Sequence, residues 1–197
     1  IKYLEEGNLV GLPTETVYGL AGNAFSAKAI NKIFKIKKRP KKNPLIIHYH
    51  NFEDACKDVE FNELFFKLYN KYCPGPITFV LRKNKHSKIS NYATAKLDTV
   101  AIRFPQHKVI RKILRNTDFP IAMPSANLSS GLSPVNAIDV FDEFKKKLKI
   151  IINAGSSKIG IESTVVDLTG KPKILRPGII SFMAVSYTHL RAHETTN

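Results

Sequence analysis

Short apolar runs rich in Val, Ile and Phe alternate along this chain with longer stretches whose apolar residues recur every three or four positions. That alternation constrains the fold most, because strand and helix periods taking turns build an α/β domain. Residues 9–12 read as a buried strand ending at Pro13. Ser26 caps a helix carrying Ala29, Ile30, Ile33 and Phe34, which stops before Pro40 because a residue preceding proline is pushed out of the α region. Further strands are expected at 45–49, 77–81, 100–104, 121–123, 150–152, 164–168 and 174–175, and helices at 61–72, after 109, and at 135–144. Thr14–Thr16, His48, Arg103, Ser125–Asn127 and Ser163–Thr164 fall at or just beyond these strands, so they are candidates to converge on one cleft.

A chain of 197 residues with 43% hydrophobic and 24% charged residues can bury one full core without metal or disulfide staples. No apolar run reaches the roughly 18–20 residues a bilayer demands, and Glu5-Glu6 stand where a secretion signal would be apolar. Cys56 and Cys73 belong to no metal-ligand spacing and read as reduced thiols, which places the protein in the cytoplasm. The formal charge of +15 points to polyanionic partners such as nucleotide or RNA, although a lysine-rich composition gives the same balance without RNA contact. The chain is expected to hold one catalytic domain over 1–183, its first helix cut short. Residues 184–197, with no clear period, are expected to be an appendage foreign to the domain.

Local chemistry is concentrated in a few segments. Lys37-Lys38-Arg39-Pro40-Lys41-Lys42-Asn43-Pro44 puts five cations on a proline-stiffened loop, as a triphosphate site would need; the plain alternative is a solvated basic loop. Neither a Walker loop nor a GxGxxG fingerprint occurs, so a nucleotide site here must be of another kind. Residues 11–21 place hydroxyls beside an apolar turn, and Pro124-Ser125-Ala126-Asn127 offers a hydroxyl and an amide suited to phosphate or ribose, or to helix capping. His48 ends an apolar strand. Arg103, between Ile102 and Phe104, is expected to be part-buried and to need an anionic partner, which a substrate carboxylate would supply. Metal-ligand sets and Ser-His-Asp spacings are missing. Glu15, Glu162 and Asp167 lie near the expected cleft but do not read as an acid/base dyad, so the chemistry suggested is positioning and charge neutralisation.

In order along the chain, PTETVYGLA, KIKKRPKKNPLIIH, PGPITFVL, TVAIRFP, MPSANLSSGLSP, GIESTVVDL and ILRPG resemble the YrdC/Sua5 family. The resemblance implies a twisted mixed β-sheet flanked by helices around a basic cavity. It also implies synthesis of L-threonylcarbamoyl-AMP from L-threonine, bicarbonate or CO2, and ATP, the first step of t6A modification of tRNA position 37. Carried over by motif, Thr16, His48, Arg103, Met123 and Ser163 form the threonine pocket. Lys37, Arg39, Asn43, Thr99, Ser125, Asn127, Ser133 and Arg176 form the ATP side, with Lys37 and Arg39 offsetting charge on the phosphates and Mg2+ bridging them. The partners implied are downstream t6A transferase proteins and, by charge, tRNA or double-stranded RNA. GIESTVVDL followed by ILRPG resembles the longer Sua5 branch, which carries a second domain. The alternatives are a carbamoyl-AMP-forming domain, which would use carbamoyl phosphate, and an RNA-binding module without turnover, whose binding would fall steeply with salt.

Overall fold

Ser26 opens the first long helix as its spacing predicts: its side chain accepts from the Ala29 amide, and α2 (Ala27–Lys37) buries Ala29, Ile30, Ile33 and Phe34. Asn62 and Asn136 cap α4 (Glu63–Tyr72) and α6 (Ala137–Phe144) in the same way. These observations come from a computed structural model that describes residues 1–181 and 183; the expected appendage at 184–197 lies outside the described residues.

The strands are β1 (Val10–Leu12), β2 (Gly19–Asn23), β3 (Ile46–His48), β4 (Val59–Glu60), β5 (Ile77–Lys83), β6 (Thr99–Arg103), β7 (Ile121–Ala122), β8 (Thr164–Asp167) and β9 (Lys173–Arg176). They form one sheet in the order β1-β2-β7-β3-β6-β5-β8-β9, with β4 added beside β5. The pairs β3–β6 and β5–β8 are parallel and the rest antiparallel, so the sheet is mixed, as expected. Short helices α1 (Lys2–Glu5) and α3 (Phe52–Ala55), together with α5 (Lys108–Arg115), complete the described elements apart from a 3-10 turn at Lys145–Lys147.

Neighbouring residues divide the sheet into two faces, as a period of two requires. Leu20, Ile47, Ile102, Phe104 and Ala122 join the larger core with α2, α4 and α6. Ala21, Ile121 and Met123 join a smaller one with Leu4, Ile110 and Leu114 from α1 and α5. Phe104 meets Tyr69 edge-on at 4.9 Å between centroids and packs near Phe65 of α4. Pinning Phe104 on that side sends Arg103, its neighbour, to the opposite face.

Three expectations change. The region 150–152 contributes only an isolated bridge, Ile151 to Gly11, because the chain meets β1 at that one point before turning away. The supposed turn at 11–21 ends in a strand, β2, whose two glycines and one alanine lack the branched side chains that signal one. Elements α3 and β4 are too short to register in periodicity.

Candidate active site

One cleft, about 540 Å3 counting its open mouth, lies over the sheet face that carries His48 and Arg103. These two residues are direct partners across the parallel β3–β6 pair, and Thr78 faces Arg103 from β5. The Met123 amide donates to the Ile46 carbonyl, which brings the end of β7 alongside. Gly19 opposes Ser125, and a Cβ there would come within 2.3 Å of the Met123 side chain; only glycine lets Met123 lie across β2. The polar residues therefore converge across one face of the sheet, not beyond a single row of strand ends, since β7 and β2 run antiparallel to their neighbours.

All five residues expected for threonine, namely Thr16, His48, Arg103, Met123 and Ser163, line this cleft. Thr14 closes a tight turn by donating to the Val17 carbonyl at 2.7 Å. Its single hydroxyl proton is thus used, so in the 2.8 Å Thr14–Thr16 contact Thr16 is the donor, and its lone pairs are left to accept from a ligand. The Ser163 hydroxyl pairs with that of Thr78 at 2.7 Å and accepts from Arg176 Nη2 at 3.0 Å.

Arg103 departs from expectation. Its anionic partner is internal: Nη2 donates to Glu15 Oε1 at 2.6 Å, and the pair is almost wholly buried. The Gln106 and His107 amides donate to the other Glu15 oxygen at 3.1 and 3.4 Å. Yet Arg103 Nε and His48 Nδ1 remain buried without hydrogen-bond partners. Burial, reinforced by the Arg103 charge, pulls the His48 imidazole down to about 3, so it is neutral at ordinary pH. A cationic edge and a neutral imidazole are thus held side by side with unmet bonding capacity.

The cations expected for ATP divide. Arg39, Ser125 and Arg176 line the cleft. Arg39 is braced by donating to the Asn43 and Pro44 carbonyls at 3.1 and 2.9 Å, the backbone thereby shaping the loop. Arg176 donates to the Ser163 carbonyl and pairs with Glu162, whose other oxygen accepts from Ser133 at 3.0 Å. Burial alone would raise the Glu162 carboxyl, but the Arg176 charge and the hydrogen bonds from Ser133 and Arg176 outweigh it and hold it below the usual range.

Lys37 corrects the reading of five cations on one proline-stiffened loop. It lies in the last turn of α2, only 1% exposed, and points inward. Its Nζ donates to the Ser125 carbonyl at 2.6 Å and to both the carbonyl and side-chain oxygens of Asn127. Burial, then the neighbouring Arg39, lowers it to about 8. Asn127 is also committed, accepting from Ser125 Oγ at 2.7 Å and donating to the Gly131 carbonyl at 2.6 Å. Lys37 and Asn127 form the scaffold of the Ser125 loop and do not line the cleft; neither do exposed Asn43, half-buried Ser133, or Thr99 at the far end of β6.

Sequence reasoning saw Glu15 and Glu162 but missed that each neutralises a cleft arginine. The usable signal was the arginine: a guanidinium between two apolar strand neighbours implies an internal carboxylate as readily as a ligand. Among the described residues no cluster of three or more His, Cys, Asp or Glu could hold a metal, and no helix is long and apolar enough to cross a membrane.

Comparison with known proteins follows the same lines. The threonylcarbamoyl-AMP synthase of Pyrococcus abyssi (strain GE5 / Orsay) is 44% identical over 178 residues, 89% of this chain and 52% of that protein. That of Bacillus subtilis (strain 168) is 40% identical over 182 residues, covering 90% of this chain and 52% of the relative. The chain thus spans about half the length of these curated relatives. The crystal structure of P. abyssi Sua5 complexed with L-threonine superposes with a TM-score of 0.91 at 42% identity, over 95% of this chain and 55% of that one. The Sua5/YciO/YrdC family model, described as telomere recombination, matches residues 2–178, and the chain belongs to that family.

Proposed function

We propose that this chain forms L-threonylcarbamoyl-AMP from L-threonine, bicarbonate or CO2, and ATP, releasing pyrophosphate, as the first step of tRNA t6A modification. The observation that carries the reading is the pair of unpartnered buried atoms, Arg103 Nε and His48 Nδ1, on adjacent strands of one cleft. An amino-acid carboxylate would satisfy the first. The second, on a neutral ring, would meet a hydroxyl or ammonium donor. Thr16, left as an acceptor, would accept a hydrogen bond from the amino acid. A site that hydrogen-bonds the threonine hydroxyl rejects analogues lacking it, since buried polar groups would then stay unpaired.

In this reading the threonine amine adds to the carbon of CO2, forming an N–C bond and losing a proton, to give the carbamate. A carbamate oxygen then attacks the α-phosphorus, and the bond to the bridging oxygen of the β-phosphate breaks as pyrophosphate leaves. Arg39 and Arg176 stand at the cleft to offset the charge on the phosphates, Arg39 being presented by carbonyls of its own loop. Ser125 lies beside them with its hydroxyl donated to Asn127, while Lys37 and Ser133 keep its surroundings in shape. The cleft carboxylates do not suit a protein-held Mg2+, because Glu15 and Glu162 are each engaged with an arginine. Mg2+ would enter on the triphosphate, held by phosphate oxygens and water.

The test is pyrophosphate release by the chain with each substrate omitted in turn. Release that requires ATP, L-threonine and bicarbonate together is expected; equal release without threonine contradicts the reading. The product would pass to a t6A transferase. RNA contact is supported by the exposed Lys108, Lys112 and Arg115 of α5, which recur at helical spacing with no acidic residue in the helix.

A further inference from the structure

Glu15 stands between the amino-acid side of the cleft and the turn that leads from β6 into α5. It is 5% exposed, and both its oxygens are engaged: Oε1 by Arg103 Nη2, Oε2 by the Gln106 and His107 amides. Its backbone is fastened as well. The Ile159 amide donates to the Glu15 carbonyl at 3.0 Å, and on either side Ser157 Oγ donates to the Thr14 carbonyl and the Gly160 amide to that of Thr16. A carboxylate so firmly placed does more than balance a charge. It takes one terminal nitrogen of Arg103 and leaves Nε buried and unpartnered, on the strand position paired with His48.

Resting on the function proposed above, we propose that Glu15 is a positioning and specificity-determining residue. It fixes which edge of the Arg103 guanidinium meets the amino acid's carboxylate, and it cancels the Arg103 charge so that the subsite accepts an amino acid with a neutral side chain. Without the Glu15 charge the subsite becomes net cationic, and a ligand with a second carboxylate gains relative to threonine.

The experiment measures KM for L-threonine and for ATP, kcat, and competition by L-aspartate, in the wild-type chain and in Glu15→Gln and Glu15→Asp, with melting temperature followed in parallel. Glu15→Gln should raise KM for threonine about tenfold or more, as loss of one charge-assisted contact predicts. KM for ATP should stay within about twofold, and aspartate should inhibit several-fold more strongly relative to threonine. Glu15→Asp keeps the charge with a shorter reach, so it should raise KM for threonine less and leave the aspartate competition near the wild-type level. It also decides the question if Glu15→Gln does not fold. Threonine and ATP constants rising together in either folded variant, or threonine selectivity unchanged in folded Glu15→Gln, overturns the proposal. Failure of the wild-type chain to use threonine at all overturns the function above and this proposal with it, so the two failures are told apart by the wild-type arm.

Discussion

Arg103 and His48 share one strand pair, and burial beside that guanidinium keeps the His48 imidazole neutral. Arg103→Ala should reduce threonine-dependent turnover about 100-fold, from loss of charge-assisted hydrogen bonds worth about 1.5–3 kcal/mol. It also leaves Glu15 buried and unpaired, so a fall in stability of about 3–5 kcal/mol should accompany it in chemical denaturation. His48 makes a prediction in pH. Its folded value is pulled down to about 3, whereas the unfolded chain protonates near 6.5. Between those values the unfolded state binds more protons, so the His48 contribution to stability is lost as pH falls from 6.5 toward 3. His48→Gln should flatten that acid-side loss in unfolding curves at pH 7 and pH 5; an unchanged slope would show that His48 is not held neutral. The candidacy of both residues was legible in the sequence as polar residues in apolar strands. Glu15 as the partner of Arg103 was not, because that contact spans 88 positions and depends on strand order.

The elements that aim these side chains carry their own tests. Phe104, fully buried against α4, holds the end of β6 so that Arg103 turns to the cleft. Phe104→Ala should cost about 3–5 kcal/mol in denaturant unfolding and, unlike a surface change, also weaken threonine binding. The cationic face of α5 predicts that Lys108→Glu with Lys112→Glu lowers RNA affinity and flattens its salt dependence, read by titration at several salt concentrations, with pyrophosphate release unaffected. Most elements were legible because capping residues and apolar periods agree, as at Ser26 with α2. Strand β2 was hidden because its sequence, Gly-Leu-Ala-Gly-Asn, is shaped by close approach: Gly19 makes room for Met123, and Gly22 packs against Leu9 and Ile33. The five-cation loop was legible as charge but not as direction. Lys37 is the last residue of α2, and its inward turn follows from the carbonyls of a loop 88–90 residues away.

At the scale of the molecule, a mixed sheet with one core on each face leaves part of one face open, and polar residues of β3, β6 and β9 and of the flanks of β2, β7 and β8 gather there. Mixed strand directions bring this about by delivering residues from antiparallel β2 and β7 beside those of parallel β3 and β6. An α/β architecture was legible from alternation, whereas the order of strands, and hence the face used, came only with the pairing. The central claim is that this face joins a threonine carbamate to AMP. It is tested most directly by mass spectrometry of the products formed by the chain from ATP, L-threonine and 13C-bicarbonate. The account predicts a threonylcarbamoyl-adenylate carrying one 13C, absent when threonine is withheld. ATP consumed with no 13C in any adenylate product would contradict it.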